Sequence, residues 1–287
     1  MVNFLKYRWL YFFISSAIIV IGLFSIVRWG FRYSIDFIGG TNLEYQTKKS
    51  VEIEKVKEAF TKNKVEILNI IKKETVITIR TKPIDEKKEF TVRKDIESSS
   101  GSNITMLRFE TVGPVIGKET IRKTVIASLF AILGILIYMS LAFKSFYFAV
   151  SAIIALIHDF LVVVGTYSLM SHFLGAEVDL LFVTALLTTM SFSVHDTIVI
   201  FDKIREYGKT TDKIDMEYYT NRALSETLVR SLNNSMTIIF MLLALILLGG
   251  STIKFFTIAL LVGTLTGTYS SPFVATPILV WLEKRRK

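Results

Sequence analysis

Apolar residues fall along this chain in two rhythms. Six stretches of about twenty residues are apolar almost without a break, the length that crosses about 30 Å of hydrocarbon as a helix. They run from Trp9 to Val27, Lys123 to Phe143, Phe148 to Met170, Val178 to Phe201, Leu232 to Leu248 and Phe255 to Leu282. Lys144 and Ser145 leave room for only a tight turn between the second and third. The pattern predicts a polytopic α-helical membrane protein with six transmembrane helices. The first run is too long for a signal-peptide core and no A-x-A-like cleavage site follows it, so it reads as an uncleaved helix.

Between the first and second runs the rhythm changes. Val51–Lys62 spaces Val51, Val56, Ala59 and Phe60 at helical intervals with charges between them. Val65–Ile71 and Thr75–Thr81 alternate and are rich in β-branched residues, as strands are. Asn42–Thr47 reads as a strand, Asn103–Val112 as a closing strand, and Phe90–Ser99 as a second short helix. Ser98 to Ser102 reads as a flexible turn. Strand-helix-strand-strand-helix-strand is the succession of a ferredoxin-like α+β domain. The chain thus divides into 1–27 (N-terminus and first helix), 28–122 (small domain) and 123–287 (the other five helices and a tail).

The 287 residues are 51% hydrophobic, as a membrane protein requires, and carry a net charge of +9. That charge does not point to nucleic acid. The basic residues sit beside the apolar runs, as orientation signals do, and no nucleic-acid-binding motif is present. Lys6 and Arg8, Lys144, the cations between Asp202 and Arg230 (Lys203, Arg205, Lys209, Lys213, Arg222), and Lys284 to Lys287 all fall on one side of six spans. The opposite short loops hold a single lysine, Lys254. Both termini are therefore expected in the cytoplasm and the small domain outside it, since long loops cross largely regardless of charge. With no cysteine, disulfide and thiolate chemistry are absent.

Ionisable residues inside the spans carry the functional signal. His195 and Asp196 lie in FVTALLTTMSFSVHDTIVIF, and His158 and Asp159 lie in the third span. A charge at membrane depth costs about 2.5–3.5 kcal/mol on insertion scales, so such residues usually serve a proton relay, an ion path or helix pairing. Arg230 opens the fifth span, where it could meet Asp196 across neighbouring antiparallel helices. A carboxylate between burial and a guanidinium can load and release a proton; the plainer alternative is a static ion pair. His158 and Asp159 are neighbours on a helix, about 100° apart, so both face protein only if that interior is broad. Ser191, Ser193, Thr184, Thr188, Thr189, Asn233, Asn234, Ser235 and Thr237 add polarity that packs helices or lines a wet crevice. Gly263-x-x-x-Gly267 permits close helix approach. There is no HExxH zinc motif, GxSxG elbow or Walker A loop, and three histidines form no metal cluster, so neither an enzyme, a metal nor a cofactor is expected.

Six segments, in order, resemble signatures of the SecF branch of the SecD/SecF family of bacterial protein-export membrane proteins, in the RND superfamily. Asp36-Phe37-Ile38-Gly39-Gly40-Thr41 resembles DFTGGT, with Ile38 in place of threonine. Val112 to Glu119, with Gly113, Pro114 and Gly117, resembles VGPxxGxE; Ala155 to Asp159 resembles the third-helix motif. Ser193 to Glu206 resembles NDTVVIFDRIRE, with His195 where asparagine is common. Thr227 to Ser231 resembles TLxRT, and Gly267 to Ser271 resembles GTYSS. Two further departures are Ala142-Phe143-Lys144, where many members have an Arg-Phe pair, and Ser231 to Ser235, which replaces a Ser/Thr-rich run.

The resemblance implies a six-helix RND-like half-bundle in the bacterial inner membrane, acting with SecD beside the SecYEG channel on unfolded preproteins. It implies a proton or sodium path through Asp196 and Arg230. Two other readings stand beside it: a structural scaffold with no ion path of its own, and half of an RND-type small-molecule exporter.

Overall fold

The computed structural model of the chain describes residues 3–48, 51–143, 145–210 and 215–285, the side chains of Lys73 and Thr210 apart. Lys144, Lys213, Arg286 and Lys287, part of the orientation bias, lie outside the described residues. Two compact units emerge: Tyr33–Val125, and Met1–Arg32 together with Ile126–Lys287.

The helices and strands follow in chain order. Helix α1 spans Arg8–Trp29, strand β1 Gly40–Thr47, α2 Ile53–Lys62, β2 Ile67–Lys73, β3 Val76–Thr81, α3 Glu86–Ser100 and β4 Ile104–Val112. Then come α4 (Pro114–Ala142), α5 (Phe146–Leu174), α6 (Leu180–Thr210), α7 (Met216–Leu248), α8 (Lys254–Ser270) and α9 (Thr276–Lys284). Among the described residues six helical segments are long and apolar enough to span a membrane, the sixth made of α8 and α9 in succession.

The small domain is a four-stranded antiparallel sheet in the order β2-β3-β1-β4. With α2 and α3, this is the succession and order of a ferredoxin-like sandwich. Alternation places Leu43, Tyr45, Ile77 and Ile79 inward, where Val56, Phe60, Val92 and Ile96 of the two helices meet them. One carboxylate is buried with them: Glu89 accepts from the Tyr45 hydroxyl at 2.9 Å and from Arg93 Nε at 3.0 Å. The serines expected in a flexible turn belong to α3: Ser98 to Ser100 are its last residues, and Gly101, at φ +64°, closes it with its amide on the Glu97 carbonyl.

The glycine signatures brace the edge of this domain. Gly39 and Gly40 hold φ of +75° and +131°, where side chains are strained. A Cβ on Gly39 would sit 3.0 Å from Pro114 Cα, and one on Gly40 2.8 Å from the Thr81 carbonyl. A Cβ on Gly117 would sit 2.8 Å from the Phe37 carbonyl. The two segments are thus pressed backbone to backbone. Asp36 lies in the helical turn Ile35–Ile38, which Ser34 caps. Pro114 opens α4, while nothing stands within 4 Å of an added Cβ at Gly113.

In the membrane bundle, α5, α6 and the α8–α9 pair are half or more covered by the rest of the chain; α1, α4 and α7 are mostly bare. Small residues let the inner helices close up. A Cβ on Gly22 of α1 would stand 2.8 Å from Gly165 Cα of α5, and one on Gly263 of α8 would stand 2.3 Å from Thr189 of α6. Van der Waals approach of this kind, rather than expulsion of water, binds helices in lipid.

Three helices run past their apolar runs. α6 continues for nine residues beyond Phe201 into the charged Asp202–Thr210 segment, α7 begins at Met216, and α4 begins at Pro114. These extensions are polar, so an apolar-run reading stops short of them. The sixth segment is also interrupted: Ser271–Ala275 winds as a π-helix. Pro272 has no amide hydrogen to give, which removes one rung of the regular ladder.

Candidate functional site

The wide-pitch turn lies where the polar side chains gather. Asp159, on α5, is 3% exposed. One carboxylate oxygen, Oδ2, accepts from Ser193 of α6 and from Ser270 of α8, the latter at 2.6 Å. The other, Oδ1, stands 2.8 Å from Nδ1 of His158. Three helices therefore meet on one carboxylate. His158 and Asp159 are both buried because α5 packs against α1, α6 and α8 together, the broad interior that adjacent positions require.

Ser193 reaches Asp159 because Gly267 faces it: a Cβ there would lie 3.0 Å from Ser193 Cβ. From Ser193 the polar contacts continue. Thr197 Oγ1 donates to the Ser193 carbonyl at 3.1 Å and shares a 2.8 Å hydrogen bond with Ser271 Oγ. Ser271 also reaches the Gly267 carbonyl at 3.1 Å, and Thr276 Oγ1 donates to the Ser271 carbonyl at 2.9 Å. Hydroxyls thus occupy carbonyls near the π-helical turn, as buried backbone polar groups demand.

Asp196 lies one turn along α6 from Ser193 and is 4% exposed. Its Oδ2 accepts from Ser231 of α7. Ser235, one turn on, donates to the Ser231 carbonyl at 2.9 Å and shares a 2.6 Å bond with Thr268 of α8. The second carboxylate therefore ties α6 to α7, which hydroxyls join to α8.

Arg230 is not brought to Asp196 here. It is exposed, and the residue that meets the carboxylate is its neighbour Ser231. A helical step of about 100° separates the two positions, so one faces the interior while the other faces out. His195 is likewise exposed, beside buried Asp196. The exposed residues on α6 include Thr184, Thr188, Ser191 and His195; on α7 they include Arg230, Asn233, Asn234 and Thr237. Both sets repeat at three- and four-residue intervals, so each forms a polar stripe that this chain leaves uncovered.

From sequence alone, packing is the default role for a serine within a span. Ser193, Ser231, Ser270 and Ser271 prove to be the hydrogen-bond partners of the two aspartates or of each other's frames. A usable signal was present: each lies in or beside a quoted motif. Asn221 carried no such signal. Its Oδ1 accepts from the Phe4 amide at 2.9 Å and its Nδ2 donates to the Glu217 carbonyl, also at 2.9 Å, fixing the N-terminal turn to α7.

Comparison with known proteins places the chain in a family. The sequence profile of the family described as Protein export membrane protein SecD/SecF, C-terminal, matches residues 92–285. That of the SecD/SecF GG motif matches residues 24–51. Protein translocase subunit SecF of Thermobaculum terrenum is 40% identical over 99% of this chain and 95% of its own length. Protein translocase subunit SecDF of Thermus thermophilus is 37% identical over 90% of this chain and 35% of its own. The crystal structure of SecDF, a translocon-associated membrane protein from Thermus thermophilus, superposes with a TM-score of 0.85 at 31% identity. It covers 99% of this chain, which spans 39% of that larger one.

Proposed function

Because the chain belongs to the SecD/SecF family of protein-export membrane proteins, among the SecF subunits of protein translocases, we propose that it couples an ion gradient to late preprotein translocation. The ion in this reading is the proton. SecD is its partner, the SecYEG channel its neighbour, and the bacterial cytoplasmic membrane its place, with both termini in the cytoplasm and the small domain outside. The Thermus thermophilus relative is described as SecDF and is matched over 35% of its own length, which favours SecD as the partner.

One observation carries the reading. Asp196 is buried within a span, while its chain neighbour His195 and, on α7, Arg230 are exposed on polar stripes. Ionisable groups at membrane depth face a bundle interior or water rather than lipid. This chain does not cover the stripes, so helices of a partner complete the site. Arg230 and His195 then approach the carboxylate only when the partner's helices close over them, and a proton on Asp196 changes what that closure gains. Changes in packing of the spans are passed to the small domain, which handles the emerging polypeptide. No bond in the substrate is made or broken.

The test is Asp196→Asn in membrane vesicles, with SecD co-purification checked first. Export stimulated by an imposed proton gradient is expected to fall to the unstimulated rate while the complex stays intact. Full gradient-dependent export from an intact complex would end the reading. Loss of the complex itself would favour a scaffold, in which the charge only holds subunits in register.

A further inference from the structure

His158 leaves one buried atom unaccounted for. Its Nδ1 is on Asp159, the residue is 7% exposed, and its Nε2 has no hydrogen-bond partner among the described residues. An imidazole nitrogen is a donor or an acceptor in every protonation state, so a buried orphan is costly unless something visits it.

Charge balance raises the same question. Asp159 receives two hydroxyls and the His158 ring, the donor set that suits an ionised carboxylate. Its ion-pair partner among the described residues is His158. On neighbouring helices the groups that touch the couple are Ser193, Ser270 and the Tyr269 ring, and among the described residues no lysine or arginine pairs with it. A neutral His158 would leave a net negative charge in the middle of a membrane bundle. A proton cancels it.

We propose that His158 and Asp159 form a second proton-loading site, filled through imidazole Nε2 rather than by way of Asp196, and that filling it loosens the third span's hold on the fourth and sixth. This rests on the reading that the chain couples to a proton gradient. The side of approach is the seam of α1 and α8: the Tyr269 ring lies 6.3 Å from the imidazole, and its hydroxyl donates to the Tyr11 carbonyl at 3.0 Å. Ser15 of α1 donates to that hydroxyl at 3.3 Å. A proton arriving on Nε2 gives the imidazolium; the Nδ1 proton then passes to Asp159 Oδ1, leaving a neutral imidazole protonated at Nε2 and a carboxylic acid. The Ser193 and Ser270 hydroxyls then donate to a neutral group instead of an anion, and charge-assisted hydrogen bonds are about twice as strong as neutral ones. Protons at Asp159 and Asp196 thus govern different seams: α5 with α6 and α8 in one case, α6 with α7 in the other.

The chain has three histidines, so His172→Gln with His195→Gln leaves His158 as the one imidazole to observe. The full chain, labelled with nitrogen-15 histidine and held in lipid nanodiscs, is titrated by NMR from about pH 8 to about pH 5, the range in which histidine changes charge. The ring proton is expected to change from Nδ1 to Nε2 as the pH falls, read from the two nitrogen-15 shifts, and that change of tautomer is expected to be lost when Asp159→Asn is added. Amide protection around Ser193, with the intrinsic exchange rate at each pH divided out, should also fall several-fold on acidification, and stop responding in His158→Gln, a variant that serves should Asp159→Asn fail to fold. A His158 that keeps its proton on Nδ1 throughout, a tautomer change indifferent to Asp159→Asn, or protection that ignores pH overturns the proposal. None of these readouts involves export, so their failure leaves coupling through Asp196 standing.

Discussion

In the small domain the side chains taken from solvent are Leu43, Tyr45, Phe60, Ile77 and Ile79; at the centre of the helical bundle they include Asp159, Ser193, Asp196, Ser270 and Ser271. The bare surfaces are reversed in the same way. Phe130, Leu141 and Leu247 are left open in the spans, while α2 and α3 present lysines and glutamates. One chain therefore uses two solvents. In water, apolar burial is worth about 25 cal/mol per Å² and organises the domain. In lipid that force vanishes between helices, and close packing with hydrogen bonds does the joining. The bundle's interior is consequently where polar groups, and with them ion chemistry, can be kept.

The comparison is broken most severely from the domain side. Leu43→Ala should cost about 2–5 kcal/mol of domain stability, because a buried leucine is replaced by a cavity. Phe130→Ala, on the bare face of α4, should change stability by within about 0.5 kcal/mol. Urea unfolding of the full chain in nanodiscs, followed by amide exchange in β1 and in the spans, separates the two. Equal losses would mean that the domain does not depend on its own core.

The bundle is tested by removing polarity. Ser193→Ala leaves Asp159 with one donor fewer and should cost about 1–3 kcal/mol, the usual result of depriving a buried acceptor. Replacing the set together, Asp159→Leu with Ser193→Ala and Ser270→Ala, should recover most of that loss, since apolar packing substitutes well for a buried polar cluster. If the triple variant is as stable as the parent yet no longer supports gradient-driven export, the cluster exists for function. If it supports export normally, the cluster was a helix tie and nothing more.

The two solvents also explain which features the sequence disclosed. Spans and strands were legible because their periods follow from which side meets water or lipid: the alternation of Thr75–Thr81 became β3, and the runs of apolar residues became the six spans. Asp196, Asp159 and His158 were legible because charge among apolar residues is rare. Their partners were less so. A serine in a span is compatible with packing, with a local bond to the preceding turn, or with a carboxylate on another helix, and only the assembled α5–α6–α8 seam selects Ser193 and Ser270 for Asp159. The expected meeting of Arg230 with Asp196 depended on helix rotation, which spacing alone does not fix. The π-helical turn was hidden for a related reason: Pro272 marks an interruption without saying how the ladder closes again.

A finer test uses pH on a polar cluster that the domain buries, Tyr45 with Glu89. Burial, with Glu89 adding, holds the Tyr45 phenol well above its ordinary range. Unfolded tyrosine ionises near about pH 10, so above that value the unfolded chain loses a proton that the folded domain keeps. The stabilisation is whole below about pH 10 and is lost as the pH rises further. The urea midpoint of the domain should drop between about pH 9 and about pH 11, and Tyr45→Phe should flatten that drop. An unchanged slope in the variant would place the alkaline loss elsewhere.

The smallest effect belongs to the domain's surface and has the opposite sign. Asp95 of α3 accepts from Asn63 Nδ2 at 2.7 Å and from Lys62 Nζ at 3.0 Å, and these hydrogen bonds hold its carboxyl below the usual range. A depressed carboxyl stabilises the folded form above the unfolded value, near about pH 3.9, and the benefit disappears as the pH falls through the folded one. The pair is solvated, so salt and water screen it, and its loss should reach only the end of α2. Amide protection at Lys62 to Val65, with the intrinsic exchange rate at each pH divided out, should fall on acidification in the parent and be uniformly lower in Asp95→Asn. The same bonds on Asp159 act between spans because lipid supplies no competing water. If Asp95→Asn instead loosened the whole domain, a solvated contact would be carrying the weight of a buried one, and the division between the two units would have to be redrawn.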